Sequence, residues 1–414
     1  MSRIEELERQ LNLKQVQINR LLGITQSINT NKPARELFEM YQSFLSYEMG
    51  IKKMALYIRS EGVWECASLI GIKEDGLKEV SDELFSKYRA LDRLDDAEHP
   101  FLRHFDVVIP VSHKEQPLAY VFLGGFQEDD DMYDKVQFIT AMTNVISVAI
   151  ENKRLFKQQM RQERLRQEMK LASDMQLSMV PKELPSKNCY EFASIYKPHL
   201  SVGGDYFDFI EFGDGKITFC VGDISGKGLA AALMMANFQA IFHSLVHRRE
   251  GLQQFVKDVN FALFQMTKGD RFITFFVAEY DTNTRQLTYV NCGHNPPILI
   301  QDGNCLQLNQ GTTILGCFDK LPFMETGAVQ IEEDATILVY TDGLTDIQDN
   351  DGNYLNIEFL EDFVTQNCGL SVADFNGKLM EMTEGFVGDE QDYPDDFTVL
   401  TCKLFPHRSM VSPC

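Results

Sequence analysis

The hydrophobic pattern of residues 1–28 predicts an amphipathic helix. Apolar residues recur at alternating steps of three and four, and only Lys14 and Thr25 interrupt the stripe with polar side chains. Because this repeat is typical of a coiled-coil seam, we interpret the segment as a helix that pairs in a parallel homodimer. The alternative is an amphipathic helix that folds onto its own domain. The stripe consists of Ile4, Leu7, Leu11, Ile18, Leu21 and Ile28.

Four segments rich in branched and aromatic residues come next and predict the strands of a sheet. They are KKMALYIRS, VWECASLIGI, FDVVIPVSH and PLAYVFLGGF, and a long helical pattern begins at about Val136. This order of helix, antiparallel strands and closing helix resembles a GAF sensor domain. The resemblance implies an α/β sensor at residues 29–152 with an unknown ligand or partner.

A long helix is predicted between Asn144 and Val180, where the chain contains no proline or glycine and many good helix formers. Its last part carries an apolar stripe that requires a packing partner. Pro181 and Pro185 end the pattern, so we interpret residues 153–184 as a helical linker. The stripe consists of Leu165, Met169, Ala172, Met175 and Met179.

The remainder, residues 185–405, alternates strand patterns with helix patterns and predicts an α+β domain. Strands are expected near 190–196, 205–211, 216–223, 272–280, 286–291, 296–301, 335–341 and 396–403. Helices are expected near 228–248, 251–268, 356–366 and 373–385. Several strand pairs are joined by loops of hairpin length, so the sheets should be mostly antiparallel.

The net charge and the distribution of apolar residues disfavour some classes of function. A net charge of -22 disfavours a polyanionic partner such as a nucleic acid. The N-terminus is charged, and we expect no run of about 18 apolar residues that could span a bilayer. A cytoplasmic location is therefore expected.

The stretch VGDISGKG, residues 221–228, contains a Gly-Lys pair and could be a phosphate-binding loop or a metal-ligand turn. A Walker loop requires a glycine five positions before Gly226 and a Ser or Thr after Lys227. The sequence has Val221 and Gly228 there instead. The motif therefore favours a turn that presents Asp223.

Other acidic residues also stand at predicted strand ends or in tight turns: Asp205 in GGDYF, Asp342 in YTDGL, and Asp395 and Asp396 in DDF. Taken singly, each motif is as readily a turn or a solvated strand start. GGDYF also resembles the GGDEF motif of diguanylate cyclases, but Tyr206 stands where the acid is needed. Carboxylates that converge repel each other unless cations neutralise them, and oxygen ligands select Mg²⁺ or Mn²⁺.

The ordered set VGGDYFDF, GDISGKGLAAALMMA, NCGHNPPIL, YTDGLTD and DDFTVL closely resembles the PPM (protein phosphatase 2C-like) metal-dependent Ser/Thr phosphatases, in their SpoIIE/RsbU-like branch. The resemblance covers residues 185–405 and implies an αββα sandwich of antiparallel sheets. It also implies a protein-serine/threonine phosphatase that acts through a hydroxide bridging two Mn²⁺ or Mg²⁺ ions. The implied substrate is a phosphoprotein supplied in trans, of the anti-sigma-factor-antagonist type.

The resemblance assigns site residues by position. Asp223 corresponds to the bridging ligand, and the carbonyl of Ile224 to a ligand of one ion. Asp342 and Asp395 correspond to further ligands, and Asp205 to a direct or water-mediated one. Asp396 is the alternative to Asp395 if the alignment is displaced by one residue. Asp205, Asp223, Asp342 and Asp395 are thus the expected catalytic residues.

Two positions depart from the family pattern. Many eukaryotic members have a histidine where this chain has Ser225, so the resemblance assigns no general acid, and His294 is as readily structural as catalytic. The family's phosphate-binding arginine is not found, and Lys227 or water could replace it. The alternative function is a catalytically silent scaffold that binds its partner without turnover.

Overall fold

The computed structural model describes residues 3–60, 63–72, 82–94, 99–113, 116–126, 132–387 and 393–406. The chain folds as two units, Met1–Arg164 and Leu165–Cys414. Helix α4, Met132–Leu177, begins in the first unit and ends in the second. It confirms the predicted long helix, although it starts earlier and ends three residues before Val180.

The described part of the first unit is a sheet of β2-β1-β5-β4-β3 in that order, with every pair antiparallel. The helices are α1 (Arg3–Asn29), α2 (Ala34–Tyr47) and α3 (Asp82–Ser86). The strands are β1 (Lys53–Ser60), β2 (Val63–Ile70), β3 (Asp92–Arg93), β4 (Val107–His113) and β5 (Gln116–Gly124). The four predicted strands are present, whereas α3 and the short β3 were not predicted.

Two apolar clusters fill the first unit, one on each face of its sheet. Leu37 and Tyr41 of α2 and Ile139 of α4 pack against one face. Aromatic side chains, among them Phe85 and Phe122, fill the other face. The described part of the unit thus packs helices on an antiparallel sheet, and its assignment as a GAF-type sensor stays a prediction.

The apolar stripe of α1 divides into two parts. Ile24 is buried against the first cluster, and Leu21 and Ile28 pack partly against it. In contrast, Leu7 is 58% exposed and Leu11 is 70% exposed. The C-terminal part of the helix therefore packs its apolar stripe onto its own unit, whereas Leu7 and Leu11 of the N-terminal part remain exposed.

The second unit contains two sheets. The first has the order β13-β10-β9-β8-β7 with β14 also paired to β10, and the second has the order β12-β11-β15-β16-β6. All pairs are antiparallel except β10 with β13. The strands are β6 (Tyr190–Lys197), β7 (Tyr206–Glu211), β8 (Lys216–Ile224), β9 (Ile273–Asp281), β10 (Gln286–Cys292), β11 (Ile298–Gln301), β12 (Asn304–Gln307), β13 (Gly311–Thr312), β14 (Gly327–Gln330), β15 (Ala335–Tyr340) and β16 (Phe397–Leu404). The helices are α5 (Leu229–Val246), α6 (Leu252–Thr267), α7 (Ile357–Asn367) and α8 (Val372–Val387).

These elements form four layers. Helices α5 and α6 pack on the first sheet, and α7 and α8 pack on the second. One core joins the two sheets, with Phe219 and Val277 from the first and Ile337 and Leu400 from the second. The predicted αββα sandwich of mostly antiparallel sheets is confirmed. Strand β16 is buried at all eight positions, as expected for a strand covered on both faces.

Helix α5 is apolar and long enough to cross a membrane, with a mean hydropathy of 1.5 over residues Leu229–Val246. The expectation that no such run exists was therefore wrong. The helix nevertheless contributes Met235, Phe238 and Phe242 to the core beside the first sheet. We interpret it as a core helix because of these contacts, although Leu229 and Leu233 are 51% and 59% exposed.

Candidate functional site

The acidic positions predicted from the sequence stand at four strand ends. Asp205 directly precedes β7, and Asp223 lies at the end of β8. Asp342 follows β15 and opens a 3₁₀ turn, and Asp395 and Asp396 directly precede β16. Because β7 pairs with β8 and β15 with β16 in antiparallel fashion, the four ends lie at one edge of the sandwich.

The carboxylates are close enough to perturb each other. Burial and, after it, the negative charges of Asp342, Asp395 and Asp396 together raise the pKa of Asp223 to about 7. The pKa of Asp342 is raised to about 6 by burial and by the charges of Asp346 and Asp395. The structure thus brings these predicted residues together, and it adds Asp346, which the sequence analysis did not single out.

Asp205 is the most deeply buried of these carboxylates, with 1% of its surface exposed. Burial raises its pKa well above the ordinary value, and the charge of Asp223 adds to this effect. Its Oδ2 atom accepts hydrogen bonds from the hydroxyls of Thr341, at 2.8 Å, and Thr398. These two threonines fix the carboxylate between the strands that carry Asp342 and Asp395.

The neighbours Asp395 and Asp396 play different parts. Oδ1 of Asp396 accepts a hydrogen bond from the backbone N–H of His199 at 2.8 Å, and Oδ2 accepts one from Gly204. Asp396 therefore fixes the backbone of the loop that contains His199 and Gly204. Asp395 instead pairs with the Lys227 ammonium at 2.8 Å, and the charge of Asp395 contributes to raising the pKa values of Asp223 and Asp342. Both carboxylates lie near the cluster, because the charge of Asp396 also raises the pKa values of Asp205 and Asp223, but Asp396 is the one bonded to backbone N–H groups of a distant loop.

The VGDISGKG turn does not form a phosphate-binding loop. The Ser225 hydroxyl accepts a hydrogen bond from the Phe272 N–H at 3.0 Å, and the Arg271 guanidinium donates to the Ser225 carbonyl at 2.8 Å. Gly226 has φ +103°, and a Cβ there would lie 2.1 Å from Nη1 of Arg271. The turn favours glycine at this position because a backbone with φ +103° is strained for any other residue, whereas the guanidinium of Arg271 is the end of a flexible side chain.

One cation stands beside the acidic cluster, and a second lies against the turn that carries Asp223. Lys227 pairs with Asp395 and lowers the pKa values of Asp223, Asp342 and Asp346 by its charge. Arg271 is exposed and contacts the turn itself. The sequence analysis considered Lys227 but missed Arg271, whose place opposite the turn follows from the pairing of β8 with β9.

His294 is buried and structural in character. Its Nδ1 atom is 2.9 Å from the Thr274 hydroxyl, and its backbone N–H donates to the Asn291 side chain at 2.8 Å. Burial lowers its pKa to about 4, so the ring is neutral near pH 7. Of the two interpretations left open by the sequence, these contacts favour the structural one.

The donor set fits hard divalent cations that retain part of their water shell. The pKa values of Asp223 and Asp342 are raised partly because neighbouring carboxylates repel their negative charge, and a bound cation would relieve this repulsion. Carboxylate oxygens are ligands that suit Mg²⁺ or Mn²⁺. Among the described residues, no group of three or more His, Cys, Asp or Glu side chains is arranged to hold an ion by protein ligands alone. Mg²⁺ commonly binds through one or two carboxylates and keeps several waters.

Known proteins are similar to the part of the chain that carries the acidic cluster. The family model for Stage II sporulation protein E (SpoIIE) matches residues 213–405. That range includes Asp223, Asp342 and Asp395, and Asp205 lies before it. Phosphoserine phosphatase RsbU of Bacillus subtilis is 25% identical over 246 residues, which are 58% of this chain and 71% of RsbU.

Two further similarities are more limited. Phosphoserine phosphatase RsbP of Bacillus subtilis is 24% identical over 187 residues, which are 44% of this chain and 46% of RsbP. The solved SiaA-PP2C domain of Pseudomonas aeruginosa has a TM-score of 0.52 and 19% identity, and the match covers 58% of this chain and 97% of that domain. At this identity the structural match supports the fold alone.

Proposed function

The C-terminal part of this chain is a SpoIIE-type PP2C phosphatase domain, and from that premise we propose that the protein removes phosphate from phosphoserine or phosphothreonine of another protein. The observation that carries the proposal is the convergence of Asp223, Asp342 and Asp395 at one edge of the sandwich. Carboxylates kept this close without matching positive charge have no evident structural use. The phosphatase therefore fits better than the silent scaffold.

In this proposal the acidic cluster holds two Mn²⁺ or Mg²⁺ ions. Asp223, Asp342 and Asp395 supply carboxylate ligands, Ile224 supplies its backbone carbonyl, and Asp205 acts directly or through water. Asp396, whose oxygens are used by backbone N–H groups, supports the site rather than binding an ion. When bound, such ions acidify a water molecule for attack on phosphorus and neutralise charge on the phosphate.

In this proposal the side chains of the protein contribute positive charge for the phosphate and no nucleophile. Ser225 is not a nucleophile in this arrangement, because its hydroxyl is bonded to the Phe272 amide and has no base beside it. Lys227 and Arg271 are the cations that the phosphate meets at the rim of the acidic cluster. His294 is excluded as general acid by its buried, neutral ring, so the leaving group takes its proton from elsewhere.

We expect the substrate to be a separate phosphoprotein. Both relatives named above are phosphoserine phosphatases, and we propose a substrate of the anti-sigma-factor-antagonist type for this chain by analogy with the family. The net charge of -22 favours a substrate with a basic surface around its phosphoserine. A cytoplasmic location is part of the same proposal.

The function is tested by phosphate release. With added Mn²⁺, the full chain is expected to release inorganic phosphate from a phosphoserine protein, and chelation of the metal should stop the release. Tight binding of the phosphoprotein with no release of phosphate would favour the scaffold instead. Measuring binding and release on the same sample separates the two functions.

The first unit is proposed to act as the sensor that regulates this activity. It contains a groove of about 380 Å³ beside the start of α4, which could accept a small ligand. Arg93 is the charged residue of that groove, and the others are mainly apolar. Occupancy of such a groove would act on α4 directly, because Met132, Tyr133 and Val136 form part of its wall.

A homodimer through the exposed half of α1 gives a separate prediction. Leu7→Glu together with Leu11→Glu should convert a dimer to a monomer, because two like charges would face each other across the seam. Light scattering coupled to gel filtration should show the mass fall to that of one 47.4 kDa chain. Asn12→Glu with Gln15→Glu adds the same charge beside the stripe and should leave the dimer intact. A wild-type monomer, or a variant that stays dimeric, would refute this interface.

A further inference from the structure

Gln176 is a buried polar residue near the end of α4, and the residues on either side of it are exposed. It lies in the last turn of α4 with 5% of its surface exposed, whereas Met175 is 57% and Leu177 is 41% exposed. Long polar side chains are seldom buried to this degree unless their polar atoms are bonded. The side chain therefore has a specific partner, and the contacts identify it.

The partner is the backbone of Gly203. Nε2 of Gln176 donates to the Gly203 carbonyl at 2.6 Å, and the Gly203 N–H donates to Oε1 of Gln176 at 3.0 Å. One amide side chain thus satisfies both polar groups of one peptide residue, much as a neighbouring strand would. Removing Gln176 would leave the N–H and carbonyl of Gly203 buried without partners. The free-energy cost of such unpaired groups exceeds the net stabilisation that the hydrogen bonds provide.

The Gly203–Gly204 backbone lies between Gln176 and the acidic cluster. A Cβ on Gly203 would be 2.6 Å from the Asp396 carboxylate, and a Cβ on Gly204 would be 2.9 Å from the Ile224 carbonyl oxygen. The Gly204 N–H bonds to Asp396, and Asp205 is the next residue along the chain. No side chain other than hydrogen fits in either place, so the backbone itself touches the site.

We infer that Gln176 is a positioning residue for the metal site. It holds both backbone polar groups of Gly203, and so fixes the backbone that leads into Asp205 and lies against the Ile224 carbonyl. The geometry of two proposed metal ligands then depends on where the last turn of α4 lies. The inference rests on the proposed function, because it assigns Asp205 and Ile224 to metal binding.

Gln176→Met tests the inference, since methionine keeps the length, the apolar contacts and the helix propensity but removes both hydrogen bonds. In the full chain, we expect Mn²⁺ affinity measured by calorimetry to fall about 10- to 100-fold, as for loss of a residue that orients metal ligands. Amide hydrogen exchange at residues 203–204 should become faster. At saturating Mn²⁺, the KM for a phosphoserine protein should stay unchanged, because Gln176 does not reach the exposed face of the site.

Two further variants complete the experiment. Gln176→Leu also removes both hydrogen bonds without adding charge and keeps a good helix former, so it keeps the test available if Gln176→Met does not fold. Gln167→Met makes the same substitution nine residues earlier on the exposed side of α4 and should leave Mn²⁺ affinity unchanged.

The outcomes separate this inference from the proposed function. If folded Gln176 variants bind Mn²⁺ as tightly as the wild type, with only their thermal stability lowered, Gln176 is a structural residue and the inference is wrong. If Mn²⁺ affinity falls but no phosphoprotein is hydrolysed even by the wild type, the positioning role stands and the phosphatase proposal fails. If the wild type binds no Mn²⁺ at all, both fail.

Discussion

Asp223→Asn and Asp342→Asn are each expected to reduce metal-dependent phosphate release about 1000-fold or more, equivalent to about 4 kcal/mol of transition-state stabilisation. Asparagine keeps the size of the side chain but removes the negative charge that a divalent ion requires. Both residues belong to the carboxylate cluster, and their raised pKa values show that each lies in the field of the others. The measurement is kcat/KM for a phosphoserine protein at several Mn²⁺ concentrations.

Asp302→Asn is the matched control for these variants. It removes a carboxylate from the exposed hairpin between β11 and β12, where the backbone has φ +49°, a conformation that asparagine tolerates well. Its activity should equal that of the wild type. Circular dichroism on all three variants establishes that they are folded. Near wild-type turnover by Asp223→Asn would remove the basis for the proposed site.

The metal-free protein is expected to lose stability as the pH rises from about 4 to about 8, owing to Asp223 and Asp342. Their pKa values are about 7 and about 6 in the folded state, against an ordinary value of 3.8. Between those values the folded state binds more protons than the unfolded state, so its stability falls with increasing pH. For Asp223 the full difference corresponds to at most about 4 kcal/mol, and less where water screens the charges.

Comparison with Asp223→Asn isolates this contribution from all other titrating groups. Without metal, Asp223→Asn should be more stable than the wild type at pH 8, by about 1 to 4 kcal/mol, and the difference should shrink as the pH approaches 4. Denaturant unfolding in a chelator at a series of pH values gives the two stability curves. A wild-type curve that runs parallel to that of the variant from pH 5 to pH 8 would contradict the prediction.

Divalent cations should reverse this dependence. Protons and Mg²⁺ compete for the same carboxylates, so Mg²⁺ is expected to stabilise the wild type more at pH 8 than at pH 5. The stabilisation should be absent in Asp223→Asn and retained in Asp302→Asn. This test uses unfolding alone, so it is independent of the identity of the phosphoprotein substrate.

The layered C-terminal fold could be predicted from the sequence because its long elements carry strong periodic patterns. The predicted strand near 216–223 corresponds to β8, and the predicted helix near 251–268 corresponds to α6, each within about one residue. The strands β12, β13 and β14 have two to four residues each, too few for a period to be recognised. Their pairing is set by neighbouring strands rather than by their own sequence.

The sequence by itself determined which residues are candidates for the chemistry, because acidic residues next to glycines at predicted strand ends are a local feature. Asp205, Asp223, Asp342 and Asp395 could all be named from such motifs. It also determined the apolar character of α5, although composition alone did not distinguish a core helix from a membrane span. That distinction depends on which surface covers the helix, and only the packing of Phe238 and Phe242 in the core provides it.

Only the tertiary structure decided what each carboxylate faces. Asp395 and Asp396 are adjacent in the chain, yet one pairs with Lys227 and the other with backbone N–H groups from a distant loop. Neither Gln176 nor Arg271 was singled out from the sequence, and their proposed roles rest on partners 27 and 46 residues away. Contacts of this kind join segments that are remote in sequence, so no local pattern records them. They form only when the strands pair and the two sheets pack, which brings their loops together.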